Sequence, residues 1–243
     1  MHTPYDTIGI NYAELRKPDP RIAALIEAAL GPARTILNVG AGAGSYEPSG
    51  RQVTAVEPSL EMIRQRPASA TAVVQGSAED LPFADNAFDA SMAILTVHHW
   101  QDQAQGLKEM RRVTRGPIVI LTYDPSFRGF WLADYVPQLI TLDEAQMPRI
   151  SEYEQWLGPV RIEPVPIPHD CTDGFLSAYW RRPGAYLEPR IRAAISSFWA
   201  VGDISSALER LERDLADGEW AKRYGGLSGL NELDCGYRLV TAV

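Results

Sequence analysis

Short apolar runs alternate with helix-periodic stretches through the first half of this chain. Residues 36–39, 53–56, 72–74, 90–95 and 118–121 are almost continuously apolar. Runs of this kind suit strands covered on both faces, as in a parallel sheet flanked by crossover helices. Between them, Ile22, Leu25, Ile26, Ala29 and Leu30 recur at helical spacing. Asp19 is placed to cap that helix, Pro20 suits its first turn, and Gly31 and Pro32 end it. Residues 59–66 and 102–113 predict two further helices. The strand-helix-strand order predicts a doubly wound α/β sheet.

The pattern changes after residue 123. Phe127, Phe130, Trp131, Tyr135, Tyr153 and Trp156 crowd residues 124–158. Most of these rings are expected in the core, with some lining a pocket. Residues 160–167 are apolar enough for a strand, but Pro164, Pro166 and Pro168 permit only an edge strand or none, because proline cannot donate to a ladder. Ile204, Leu208, Leu211 and Leu215 mark an amphipathic helix with Asp203 as its cap, and residues 237–243 read as a last strand. The sheet is therefore expected to draw on both ends of the chain, with a helical, aromatic-rich cap between them.

At 243 residues and 45% hydrophobic content, the chain suits one domain with a substantial core. A formal net charge of −8 argues against a general nucleic-acid or anionic-membrane surface, which requires a net basic face. Arg181, Arg182, Arg190 and Arg192 form one local basic group, read first as solvated surface and second as an anchor for an anionic small substrate. Two cysteines, Cys171 and Cys235, are too few for a disulfide framework and point to a reducing compartment. Residues 1–6 lack the basic start and apolar run of a signal peptide, so a cytoplasmic location is expected. No apolar run approaches the roughly 20 residues that span a bilayer. The four histidines, His2, His98, His99 and His169, make a three-histidine metal site improbable, and no metal is expected. No oligomeric state is legible.

The strongest chemical signal is Val39-Gly40-Ala41-Gly42-Ala43-Gly44, an apolar strand running into three glycines at alternate positions. Such a turn lets a ligand approach the backbone closely. The next strand ends in Glu57, seventeen positions beyond Gly40, where a carboxylate can accept from both hydroxyls of a ribose. After the third strand comes Gly76-Ser77-Ala78-Glu79-Asp80, in which an amide and a carboxylate suit an adenine edge, with Leu81 or Phe83 packing nearby. The fourth strand ends in Ala93-Ile94-Leu95-Thr96 and then His98 and His99. Carboxyl ends of parallel strands converge on one crevice in such sheets. A nicotinamide-dinucleotide turn would need glycine at position 45, which is Ser45, and no lysine suits a P-loop.

As a set, these segments resemble the class I S-adenosylmethionine (SAM)-dependent methyltransferases, especially the small-molecule subgroup that includes ubiquinone and menaquinone methyltransferases. The resemblance covers residues 5–125 and extends through Phe88-Asp89 and Glu109-Met110-Arg111-Arg112-Val113. It implies a Rossmann-like, mostly parallel seven-stranded sheet with an antiparallel last strand. It divides one domain, 1–243, into an N-terminal lid (1–17), a SAM-binding core (18–123), a cap with one edge strand (124–234) and the last strand (235–243). It further implies that Gly40, Ala41, Gly42 and Gly44 wrap the methionine part of SAM, and that Glu57, with Pro58 beside it, holds the ribose. Ser77, Ala78 and Glu79 would meet the adenine, Ala93 and Ile94 would lie near the sulfonium, Tyr12 would cover the ligand, and Arg16 would pair with its carboxylate. Asn38 stands where many relatives carry Asp, a departure that removes a charge.

His98 and His99 are both candidates for a general base, since imidazole suits neutral pH, or for local packing. In extended chain, neighbours point to opposite sides, so only one would face a substrate. Asp170, Cys171, Asp173, Tyr179 and Trp180 read either as a turn into a helix or as part of an acceptor site. The implied activity is methyl transfer from SAM to a small-molecule acceptor by in-line displacement. The same residues also fit a non-catalytic SAM- or nucleoside-binding module, or an RNA or protein methyltransferase.

Overall fold

The computed structural model describes residues 15–67 and 71–243. Tyr12, and with it most of the expected lid, lies outside the described residues. Helix α1 (Pro20–Leu30) starts where Asp19 accepts from the Arg21 amide at 3.0 Å, and it stops at Gly31, which has φ 58°. It buries Ile22, Ile26 and Leu30, but Leu25 is exposed, so its core stripe is narrower than the apolar pattern suggested. Then follow β1 (Thr35–Val39), β2 (Gln52–Glu57), α2 (Leu60–Arg64), β3 (Ala72–Gln75), β4 (Ala90–Ile94), α3 (Gln103–Val113) and β5 (Ile118–Tyr123). Beyond these lie α4 (Gln138–Gln146), α5 (Ile150–Leu157), β6 (Val160–Pro168), α6 (Pro189–Ala193), α7 (Ser197–Ala200), α8 (Ser205–Ala216), α9 (Glu219–Tyr224) and β7 (Glu232–Ala242).

The strands form one seven-stranded sheet in the order β3-β2-β1-β4-β5-β7-β6. β1 to β5 pair in parallel, and β7 runs antiparallel to both β5 and β6. The strand order reverses at β1, which has β2 on one side and β4 on the other, and this opens a crevice beyond the carboxyl ends of those strands. The sheet is covered on both faces. Along β5, Val119, Leu121 and Tyr123 join one buried cluster with α1, while Ile118 and Ile120 join the other with Leu107, Met110 and Val113 of α3. That two-residue alternation is why continuous apolar runs mark these strands.

The second half departs from the expected single cap. Helix α5 places Tyr153 and Leu157 in the α3 layer, whereas Trp131, Tyr186, Leu211 and Trp220 pack on the α1 face. The chain passes from one face of the sheet to the other between α4 and α5, and neither periodicity nor composition records such a crossing. β6 is an edge strand with an irregularity between Pro164 and Pro166, the one kind of strand that tolerates its prolines. β7 begins at Glu232, five residues ahead of the 237–243 run and three ahead of 235, because exposed Glu232 and Asp234 interrupt the apolar pattern at its start. Asp203 accepts from the Ser205 amide at 2.9 Å and so caps α8 from just outside it. Among the described residues no helix is long and apolar enough to cross a membrane.

Trp131 centres the aromatic cluster on the α1 face. It lies edge-on to Tyr135, Tyr186 and Trp220 at 5.3–6.0 Å, and its Nε1 donates to the Trp180 carbonyl at 2.8 Å. Trp180 in turn donates to the Ile167 carbonyl of β6 at 2.9 Å. Trp131→Ala should cost about 3–5 kcal/mol, the usual range for a buried Trp or Phe. Urea titration checks this, and a loss below about 1 kcal/mol would show that the cluster does not bear on stability.

Candidate functional site

At the carboxyl ends of β1, β2 and β4 lies a cavity of about 480 Å³. One wall is the turn after β1. Gly40, Gly42 and Gly44 all have positive φ, at 67°, 53° and 93°. Gly40 has a second reason to be glycine, since a Cβ there would lie 2.1 Å from Thr96 Oγ1. The Gly40 and Ala41 amides donate to the Val56 carbonyl at 2.9 and 3.0 Å, which ties the turn to β2.

Glu57 completes that tie. It is buried, with one carboxylate oxygen accepting from the Gly42 amide at 2.8 Å and the other from the Ser59 amide at 2.9 Å. The Glu57 carboxylate, an acceptor-only group with about four lone-pair sites, also lines the cavity. Behind the turn, Arg66 donates to both oxygens of Glu47 at 2.7 and 2.9 Å, in an ion pair shielded from solvent. Asn38 Nδ2 donates to the same carboxylate at 3.1 Å. This accounts for the amide at position 38: an Asp there would bring a second negative charge against Glu47.

Ser77, Ala78 and Glu79 line a second wall with Trp100 and Gln101. One Glu79 carboxylate oxygen accepts from the Gln101 and Asp102 amides at 2.8 and 3.2 Å, joining the loop after β3 to the start of α3. Trp100 lies against α3 where Gly106 has no side chain; a Cβ there would stand 2.5 Å from its ring. Glu109 and Arg112 brace the loop from behind. Glu109 accepts from the Leu81 amide at 3.0 Å, and Arg112 donates to the Leu81 and Phe83 carbonyls. Leu81 is buried away from the cavity and Phe83 stacks edge-on with Phe88, so neither forms its wall.

The floor is formed by Ile94, Leu95 and Thr96, with His98 and His99 beyond. Leu95 has φ 52°, an unusual conformation for a branched residue and one that recurs at ligand sites. His98 and His99 belong to a 3₁₀ turn, Val97–His99, and not to extended chain. Both rings therefore face the cavity, with centroids 3.9 Å apart, contrary to the extended-chain expectation. His98 is half-buried and His99 opens onto the cavity, yet the surrounding protein atoms disfavour an imidazolium at both. Burial, then His99 and Arg16, holds the His98 pKa well below its ordinary value. Burial, then Arg16, lowers that of His99 to about 4.

Arg16 also lines the cavity, with its Nε donating to Asp173 at 2.6 Å. Asp173 accepts from the Tyr46 hydroxyl at 2.9 Å as well. Asp173 thus acts behind the wall, and Asp170 pairs at the surface with Arg21. Trp180 is fully buried, and neither it, Cys171 nor Tyr179 lines this cavity. Arg181, Arg182 and Arg192 donate to nearby backbone carbonyls, which orients them locally.

Arg16, Gly40, Ala41, Gly42, Glu57, Pro58, Ser77, Ala78, Glu79, Ile94, His98 and His99 therefore share one cavity wall. Gly44 lies behind it near Arg66, and Ala93 is buried within β4 because its side chain points into the α3 layer. Sequence reasoning missed Leu95, Thr96, Trp100 and Met62. For Trp100 the pairing with Gly106 was a usable signal, since a large ring against a helix needs a small residue beneath it.

A methyltransferase domain model matches residues 37–117. A crystal structure from Anabaena variabilis, described as a methyltransferase from an antibiotic biosynthesis pathway, is 35% identical, with a TM-score of 0.84 over 94% of this chain and 99% of that one. The malonyl-[acyl-carrier protein] O-methyltransferase of Pseudescherichia vulneris is 30% identical over 174 residues, 66% of this chain and 68% of that one. Rice 2-methyl-6-phytyl-1,4-hydroquinone methyltransferase 2, chloroplastic, is 32% identical over 98 residues, 40% of this chain. The chain spans only 27% of that rice protein and 53% of its counterpart numbered 1.

Asn38→Asp should lower Tm at pH 7, where the new carboxylate faces Glu47, and the deficit should shrink as pH falls below about 4 and carboxylates protonate. Thermal melts across that range check this; a deficit independent of pH would rule out charge repulsion as its cause.

Proposed function

Because this chain belongs to the class I SAM-dependent methyltransferase family, we propose that it transfers a methyl group from SAM to a small-molecule acceptor by in-line displacement. The observation that carries this reading is the single cavity uniting the glycine turn, Glu57 and the 77–79 loop. The residues fit the cofactor on three counts. The turn presents bare backbone where a Cβ at Gly40 would strike Thr96. Glu57 lines the cavity with a carboxylate, an acceptor-only group suited to a ribose diol. Ala78, Met62 and Trp100 offer apolar surface beside the polar ends of Ser77 and Glu79.

In this assignment Gly40, Ala41 and Gly42 hold the methionine portion, and Arg16 supplies positive charge for its carboxylate. Glu57 and Pro58 hold the ribose, and Ser77, Ala78 and Glu79 meet the adenine. Ile94, Leu95, Thr96 and the histidines face the reacting end. SAM supplies an activated methyl group on a positively charged sulfur. The protein's part is alignment and exclusion of water, and orientation alone supplies roughly 7–11 kcal/mol in favourable cases. A neutral His98 or His99 can accept a proton from an acceptor whose nucleophile carries one.

The rice relatives are named for a 2-methyl-6-phytyl-1,4-hydroquinone, which supports a small-molecule acceptor here, and the Pseudescherichia relative for malonyl-[acyl-carrier protein]. The acidic balance weighs against RNA. Free, buried thiols at Cys171 and Cys235 support a reducing, cytoplasmic setting.

Calorimetric titration with S-adenosylhomocysteine (SAH), with NAD in parallel, tests the cofactor assignment. Micromolar binding of SAH and none of NAD is expected; the reverse would overturn it. Glu57→Gln should weaken SAH binding by about 10-fold or more, since it replaces a charged acceptor. If either histidine acts as base, its neutral form must persist wherever activity does. With its pKa below the ordinary 6.5, the rate should stay flat from pH 8 to 6 and fall only at lower pH. An inflection near 6.5 that disappears in His98→Gln would show an unperturbed imidazole instead.

A further inference from the structure

A second, smaller cavity of about 60 Å³ shares Arg16, Leu95 and His98 with the main one and continues toward α4 and α7. We propose that this side cavity is a subsite for one end of the methyl acceptor and takes a small cationic amine group, with Asp143 of α4 as its anchor. The proposal rests on the methyltransferase reading above and specifies the acceptor class.

Asp143 is the decisive observation. It lies four residues after Leu139, on the inward face of α4, and is 7% exposed. Among the described residues its carboxylate has no hydrogen-bond partner. Tyr123, Met147, Phe175, Leu176 and Tyr237 surround the space that it enters. The cation whose charge reaches it, Arg128, is committed to Glu144 and to the Pro125 and Phe127 carbonyls. Buried carboxylates are ordinarily paired, because removal from water penalises the charge. Among the described residues only the Arg128 charge offsets that penalty, and burial outweighs it, pushing the Asp143 pKa up to about 7.

Charge narrows the ligand. The other titratable groups facing this space are Arg16, His98, Tyr123 and Tyr237. Arg16 is paired with buried Asp173, His98 is held neutral, and burial keeps both tyrosines protonated. Among the described residues Asp143 is thus the negative group facing this space without a hydrogen-bonded partner, so an anionic end would be repelled and an ammonium attracted. The rings of Tyr123, Phe175 and Tyr237 favour a cation further. With its amine on Asp143, an acceptor would present its nucleophile past His98 into the main cavity.

Calorimetric titration of the free and SAH-bound protein with 2-phenylethylammonium and with neutral 2-phenylethanol tests the subsite. At pH 8 the ammonium should bind about 10-fold or more tightly than the alcohol, and Asp143→Asn should remove that preference without altering SAH affinity. Equal binding of the two probes, or a preference that survives Asp143→Asn, overturns the proposal. Failure to bind SAH would instead overturn the methyltransferase reading, while the probe comparison on free protein still tests the subsite. A carboxyl whose folded pKa is raised costs stability wherever the unfolded chain ionises first, so its penalty grows from about pH 4 to about pH 7 and then levels off. Asp143→Asn should therefore raise Tm more at pH 8 than at pH 5. A lower Tm at pH 8 would mean that Asp143 is already paired.

Discussion

The binding crevice depends on a stretch of bare backbone held in a conformation that few residues adopt. Gly40 and Gly42 sit at positive φ beneath Thr96 and Met62, and the turn is fastened where two amides meet the Val56 carbonyl and a third meets Glu57. Because Glu57 also accepts from the Ser59 amide, one carboxylate joins the turn to the start of α2. This pre-organisation lets the site present amides and a carboxylate to a nucleoside ligand without first ordering the loop.

Buried ion pairs extend the same constraint outward. Arg66 and Glu47 hold the back of the turn, with Asn38 as a neutral donor that lets a carboxylate lie beside it. Asp173, more than a hundred residues away in sequence, joins Arg16 to Tyr46 and so ties the second half of the chain to the cavity rim. Such pairs tend to define geometry more than they add stability, since desolvation offsets much of their attraction. That suits a site whose job is to place atoms.

The electrostatics of the cavity are sorted by enclosure. His98 and His99 are kept neutral by surrounding protein and by Arg16, and Asp143 is a buried carboxyl with no hydrogen-bond partner among the described residues. A neutral imidazole on one side and a buried acid on the other give the adjoining cavities opposite chemical preferences. Enclosure also makes each interaction stronger than it would be in water.

Much of the architecture was legible in the residues themselves. Continuous apolar runs marked β1 to β5, Asp19 with Pro20 marked α1, and the prolines of 160–168 confined that segment to an edge, because each signal is local and set by backbone sterics or burial on both faces. The glycine turn, Glu57 and the 77–79 loop were legible for the same reason, since strand ends bring them together once the sheet is parallel. The tertiary structure alone decided that α5 crosses to the α3 face and that Ala93 turns away from the cavity. It also decided that a 3₁₀ turn points both histidines inward, and that Asp143 is buried on the side cavity that His98 shares. Each of these follows from contacts between segments far apart in sequence, and a pattern of neighbours carries no record of them.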